Sequence, residues 1–140
     1  MNPPQSEPEG TARIGRILFM DDQEILQELV TAMLDYLGYD VTCSADGVEA
    51  LERFAQFRDA GQPFAAVILD LTVPAGMGGF ETSQRLREMD PSVKIIVSSG
   101  YANDPMMGEW QKYGFDAAIA KPYKMEELGE VLREVIQRGA

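Results

Sequence analysis

The chain has 140 residues, a formal net charge of -11 and no histidine. That length fits one domain with a sizeable core, and so acidic a balance excludes the basic face that a nucleic acid or an anionic membrane would need. The lack of histidine excludes Ser-His-Asp and Cys-His catalysis and His-ligated zinc, and any phosphoryl group would have to sit on another residue type.

Residues Met1 to about Thr11 are rich in proline, glutamate and glycine and have little to bury, the composition of a tail or linker. A first strand is predicted from about Arg16 to Met20. The helix after it repeats Ile25, Leu26, Leu29, Val30, Met33, Leu34 and Leu37 at three and four residues, a wide apolar stripe aimed at the core, and Gly38 ends it. Asp40-Val41-Thr42-Cys43 is a less apolar strand suited to a sheet edge. Cys43 stands alone, which permits no internal disulfide and suits a reducing compartment.

Asp46 and Glu49 resemble a capping box and open a second helix that runs to about Arg58. Ala60-Gly61-Gln62-Pro63 breaks the chain before the apolar run Val67-Ile68-Leu69-Asp70-Leu71-Thr72. Beyond the loop Pro74 to Gly79, a third helix runs from about Phe80 to Glu88. A fourth strand covers about Lys94 to Ser99. Asp104 as cap and Pro105 at the first helical position then start a short helix carrying Met106, Met107, Trp110 and Tyr113. Ala117 to Ala120 is the last strand, and Met125, Leu128, Val131, Leu132, Val135 and Ile136 stripe the final helix. No long apolar span or signal-peptide pattern interrupts this order, so the chain reads as soluble and cytoplasmic.

Strands alternating with helices imply a parallel sheet with right-handed crossovers and helices on both faces. Four apolar runs finish on polar residues: Asp21-Asp22, Asp70, Ser98-Ser99 and Lys121-Pro122. In a parallel sheet those ends gather on one edge, where open α/β sheets bind their ligands. Clustered carboxylates raise one another's pKa unless a cation neutralises them. Mg2+, with its preference for hard oxygen ligands, is the natural neutraliser.

Asp21-Asp22, Asp70, Ser99 and Lys121-Pro122, in that order and on those strands, resemble the receiver domain of bacterial two-component response regulators over roughly Arg16 to Gln137. The resemblance implies a flavodoxin-like (βα)5 fold: α/β, doubly wound, a five-stranded parallel sheet in the order 2-1-3-4-5. Residues 14–138 would be the receiver domain, with residues 1–13 a disordered tail or linker. The strings Asp70 to Gly79 and Val97 to Pro105 look more narrowly like the receiver at the C-terminus of multi-sensor hybrid histidine kinases, and a free-standing regulator fits equally well.

In such a domain Asp70 is the phosphoacceptor, taking a phosphoryl group from a phosphohistidine. Asp22 and Asp70 would bind Mg2+ directly, Asp21 through water, and the backbone carbonyl of Thr72 would complete the set. Lys121 and the Ser99 hydroxyl would bond to phosphoryl oxygens, and the Lys121–Pro122 bond is usually cis in the family. The partners implied are a histidine kinase or histidine phosphotransfer domain as donor and an output protein of unknown identity, with neither nucleic acid nor membrane. The chain would catalyse its own phosphorylation and slow dephosphorylation rather than turn over a substrate.

Three departures from the family pattern stand out. The loop after Asp70 has one residue more than the usual Pro-x-Met-x-Gly, Ser99 replaces the commoner Thr, and Ala118 replaces an aromatic. With no ring at Ala118, the switch is expected in Ser99, Gly100 and Tyr101 and in the helix of Met106 to Tyr113. Tyr101 would cover the acyl phosphate, and Tyr101 or Trp110 would report the motion. Two rival readings are a haloacid-dehalogenase-like Mg2+-dependent phosphatase, which would need Asp-x-Asp after the first strand, and a receiver-like interaction module that is never phosphorylated.

Overall fold

Side chains alternate across a strand, so a strand covered on both faces must be apolar at nearly every position. The three central apolar runs behave so in the computed structural model, which describes residues 13–72, 77–101 and 103–138. The elements follow in the order β1 (Gly15–Met20), α1 (Glu24–Leu37), β2 (Tyr39–Ser44), α2 (Gly47–Asp59), β3 (Ala66–Asp70), α3 (Gly79–Met89), β4 (Ile95–Ser99), α4 (Pro105–Gly108), β5 (Ala117–Ala120) and α5 (Met125–Arg138). The strands are parallel and ordered β2-β1-β3-β4-β5, with the less apolar β2 at an edge as its composition leads one to expect.

The core lies in two layers, one on each face of the sheet. Ile17, Phe19, Ile68, Ile96 and Ile119 meet Val30 and Leu34 of α1 and Leu128, Leu132 and Val135 of α5. On the other face Leu18, Met20, Val67, Leu69, Ile95 and Val97 meet Ala50 and Phe54 of α2 and Leu86 of α3. Both layers are essentially closed to solvent.

Local signals explain the ends of the helices. Asp46 Oδ1 accepts the Glu49 amide at 3.0 Å while Glu49 Oε1 reaches back to the Ala45 amide at 2.7 Å, a capping box reaching one residue further back. Gly38 closes α1 at φ 103°, a left-handed conformation that glycine adopts without strain. Asp104 Oδ1 accepts the Met106 amide, with Pro105 as the first residue of α4.

Two expectations are corrected, for α1 and for the fourth helix. The α1 stripe is narrower than its periodicity implies: Ile25 is 83% and Leu29 51% exposed. They stand about 140° and 100° round the helix from the buried Val30, beyond the reach of the sheet. The third strand ends at Asp70 as its sequence implies, and Leu71 and Thr72 form a turn. The fourth helix is a single turn, and Trp110 and Tyr113 lie in the turns after it. Gly108, costly in a helix interior, marks the break.

Residues 1–12 of the expected tail lie outside the described residues, as do Val73 to Gly76 of the loop after β3. Arg13, assigned to that tail, donates to the carbonyl of Tyr39 at 2.6 Å and to Asp35 Oδ1 at 2.8 Å. No helix among the described residues is long and apolar enough to cross a membrane.

Candidate functional site

Register alone brings the polar residues together. Met20 is level with Leu69, Asp70 with Ser98, and Ser99 with Ala120. The next residues, Asp21 and Lys121, therefore leave the sheet on either side of Asp70 at the C-terminal edge. Carboxylate oxygens of Asp21, Asp22 and Asp70 all lie within 4.8 Å of one another.

Asp21 is fully buried, Asp70 is 2% exposed, and the adjacent Asp22 is exposed. The Asp21 amide donates to the Ser44 carbonyl at 2.9 Å, and its Oδ1 accepts the Gln23 amide at 2.9 Å, so Asp21 rather than Asp22 serves the start of α1. Lys121 Nζ reaches Asp21 Oδ2 at 2.7 Å and Asp70 Oδ2 at 3.3 Å. The other oxygen of Asp70 accepts both the amide of Thr72, at 3.0 Å, and its hydroxyl, at 2.7 Å. Both oxygens of Asp70 thus have partners, and the carboxylate is held rather than free to rotate.

Gly79 completes the floor of the site. A Cβ there would come within 2.7 Å of the Asp70 carbonyl oxygen, so only a glycine lets the start of α3 approach so closely.

The charges do not balance, and the pKa values respond. Burial raises the Asp21 carboxyl above its ordinary value; Lys121 and the Gln23 amide pull it back, and Asp70 pushes it up again. Burial pulls the Lys121 ammonium down, but Asp21 and Asp70 outweigh it and leave the pKa raised, so the lysine is charged at neutral pH. One ammonium among three carboxylates leaves room for a further cation. The donors are all hard oxygens, the set that Mg2+ takes.

Of the residues singled out from sequence, Asp21, Asp22, Asp70 and Lys121 form one cluster. Ser99, 1% exposed, ends β4 beside it: its Oγ accepts the Tyr101 amide and its carbonyl the Lys121 amide, each at 3.0 Å. Tyr101 is 67% exposed. Ala118 stands level with Val97 on β5 and packs against the α2–α3 layer. The Lys121–Pro122 bond is cis.

Sequence reasoning missed three partners. The Thr72 side chain holds Asp70, which a hydroxyl two residues beyond a strand-ending Asp could have signalled. Gln27 Nε2 donates to the Asp21 carbonyl at 2.6 Å. Ser98 and Tyr123 share a hydrogen bond between buried hydroxyls, across a separation of 25 residues that leaves no local signal.

Residues 17–133 match the response regulator receiver domain. Among curated proteins the chain is similar to sporulation initiation phosphotransferase F of Bacillus subtilis (strain 168), 26% identical over 86% of this chain and 93% of that one. It is also similar to hybrid signal transduction histidine kinase L of Dictyostelium discoideum, 27% identical over 96% of this chain but 8% of the kinase. It spans about half the length of several other curated relatives. Among solved structures it resembles the receiver domain of sensor histidine kinase PA1611 from Pseudomonas aeruginosa PAO1, solved with a magnesium ion coordinated in its active-site cleft. That match has a TM-score of 0.76 and 28% identity, and covers 88% of this chain and 98% of the other.

Proposed function

The chain belongs to the response regulator receiver domain family of two-component signalling, and from that premise we propose that Asp70 accepts a phosphoryl group from a phosphohistidine on a histidine kinase or phosphotransfer protein. The observation that carries this reading is the placement of Asp70, almost wholly buried at the end of β3 between Lys121 and the acidic pair.

In the transfer, a carboxylate oxygen of Asp70 forms a bond to phosphorus as the phosphorus–nitrogen bond of the donor breaks, and the imidazole nitrogen keeps the bonding pair. Thr72 orients the carboxylate. Lys121, held charged by its two aspartates, bonds to one phosphoryl oxygen, and the Ser99 hydroxyl to another. Asp22 and Asp70, with the Thr72 carbonyl and with Asp21 through water, would hold Mg2+, which offsets negative charge on the transferred group.

The exposed side chains of Ile25 and Leu29, one and two turns into α1 from the acidic pair, supply the apolar contact that docks the donor beside the site. Net acidity makes a basic rim on that donor the complementary surface.

The experiment is incubation with Mg2+ and acetyl phosphate, followed by intact-protein mass measurement. The parent should gain one phosphate, and Asp70→Asn should gain none while remaining folded. Full labelling of Asp70→Asn overturns the assignment. Continuous consumption of the donor, with no adduct, would point instead to a phosphatase.

A further inference from the structure

Ser98 and Tyr123 bring a buried hydrogen bond to the back of the site that the phosphoryl chemistry itself does not use. Ser98 is fully buried and Tyr123 is 8% exposed. Their hydroxyls are bonded to each other, and the Tyr123 ring meets Phe19 of β1 edge-on at 6.1 Å between centroids. Phenylalanine would pack on Phe19 equally well, so the Tyr123 oxygen matters through its bond to Ser98. Burial raises the Tyr123 pKa against the opposing effect of the Ser98 bond, and Asp21 and Asp70 raise it further, which keeps the hydroxyl neutral.

Ser98 and Ser99 are consecutive on β4, so their side chains leave opposite faces of the sheet. The segment from Lys121 to Tyr123 is tied to both. The Lys121 amide donates to the Ser99 carbonyl at 3.0 Å, and two residues later Tyr123 bonds to Ser98. Between those ties the Lys121 side chain runs to Asp21 and Asp70. An ammonium on a flexible four-carbon stem is only as well aimed as the backbone that carries it.

We propose that Tyr123 is a positioning residue for Lys121: through Ser98 it fixes the segment after β5 against the end of β4, so that the ammonium stays directed at the phosphoacceptor. The proposal rests on the phosphoacceptor reading of Asp70. It makes the end of β4 the common support of both groups that meet the phosphoryl oxygens, with Ser99 on one face and Lys121 braced from the other.

Tyr123→Phe deletes one oxygen and keeps the ring; Ser98→Ala deletes the other. At saturating Mg2+, with acetyl phosphate as donor, each should be labelled about tenfold more slowly than the parent, the scale of a small misplacement of a reacting group. The double variant should be no slower than the slower single one. In a Lys121→Ala background, itself slow, Tyr123→Phe should have no further effect. Parental labelling rates in both single variants, with only stability reduced, would mean a packing role and overturn the proposal. So would slowing that persists undiminished without Lys121. If the parent takes no label at all, the phosphoacceptor reading falls, and the tether is decided by hydrogen exchange of the Lys121 amide in the unlabelled protein. Faster exchange in Tyr123→Phe supports the tether, and unchanged exchange overturns it.

Discussion

The α1–α5 face of the sheet and the α4 end of the opposite face are built to different standards. On one, α1 and α5 have 14 residues each and bury Val30, Leu34, Leu128, Leu132 and Val135. On the other, α4 has 4 residues, and Met106, Met107 and Trp110 are only partly buried. Regions with few buried apolar contacts open at lower free energy than the rest of a domain. A change at Asp70 therefore has a firm face to push against and a loose α4 end of the opposite face to move. Ser98 and Ser99, adjacent on β4, address one face each.

The largest test of this contrast is packing itself. Leu34→Ala or Leu132→Ala should lower stability in chemical denaturation by about 2–5 kcal/mol, the usual cost of truncating a fully buried leucine. Met107→Ala should cost about 1 kcal/mol or less, because its site can collapse onto solvent. Equal losses at these two places would erase the distinction.

Next in size is the cation. Mg2+ should stabilise the unphosphorylated protein by about 2.7 kcal/mol at a hundredfold excess over its Kd, through linkage to the folded state alone. The rise should nearly vanish in Asp22→Ala, whose exposed carboxylate serves little else. An undiminished response in that variant would remove Asp22 from the ligand set.

A smaller effect separates the adjacent acids. Because the folded-state pKa of Asp21 is raised, ionising it costs the folded state, and stability contributed at low pH is lost as pH rises from the ordinary value of 3.8 through the raised one. Without metal, Asp21→Asn should therefore be more stable than the parent at neutral pH, with the gap closing as pH falls below that range. A denaturation series across pH checks it; a gap that widens on acidification would refute the sign.

The smallest signal is spectroscopic. Phosphorylation should change Trp110 fluorescence as Ser99 is drawn toward the phosphoryl oxygens and the α4 end follows. Ser99→Ala should still be labelled yet show a blunted change, and Tyr101→Ala should lose its phosphate faster. If both match the parent in both readouts, the motion is read on the α1–α5 face instead.

The order of elements, the parallel sheet and the polar edge were all legible in the residue pattern. Periods of two and 3.6 are set by local backbone geometry, and a parallel sheet sends every strand's C-terminal end the same way. That is why Asp21, Asp22, Asp70, Ser99 and Lys121 could be named as neighbours before any distance was known. The spacing of Asp46 and Glu49 showed a cap for the same reason: its partners lie within one turn. Long-range packing settled which acid of the pair is buried, because that depends on Lys121, 100 residues away, crossing to meet Asp21. It alone turned Ile25 and Leu29 to solvent, since a helix stripe is covered only as far round as the sheet and its neighbouring helix reach. The Ser98–Tyr123 bond belongs to the same class. Each residue by itself is an ordinary strand serine or a buried aromatic, and what joins them is the pairing of β4 with β5, which no local pattern encodes.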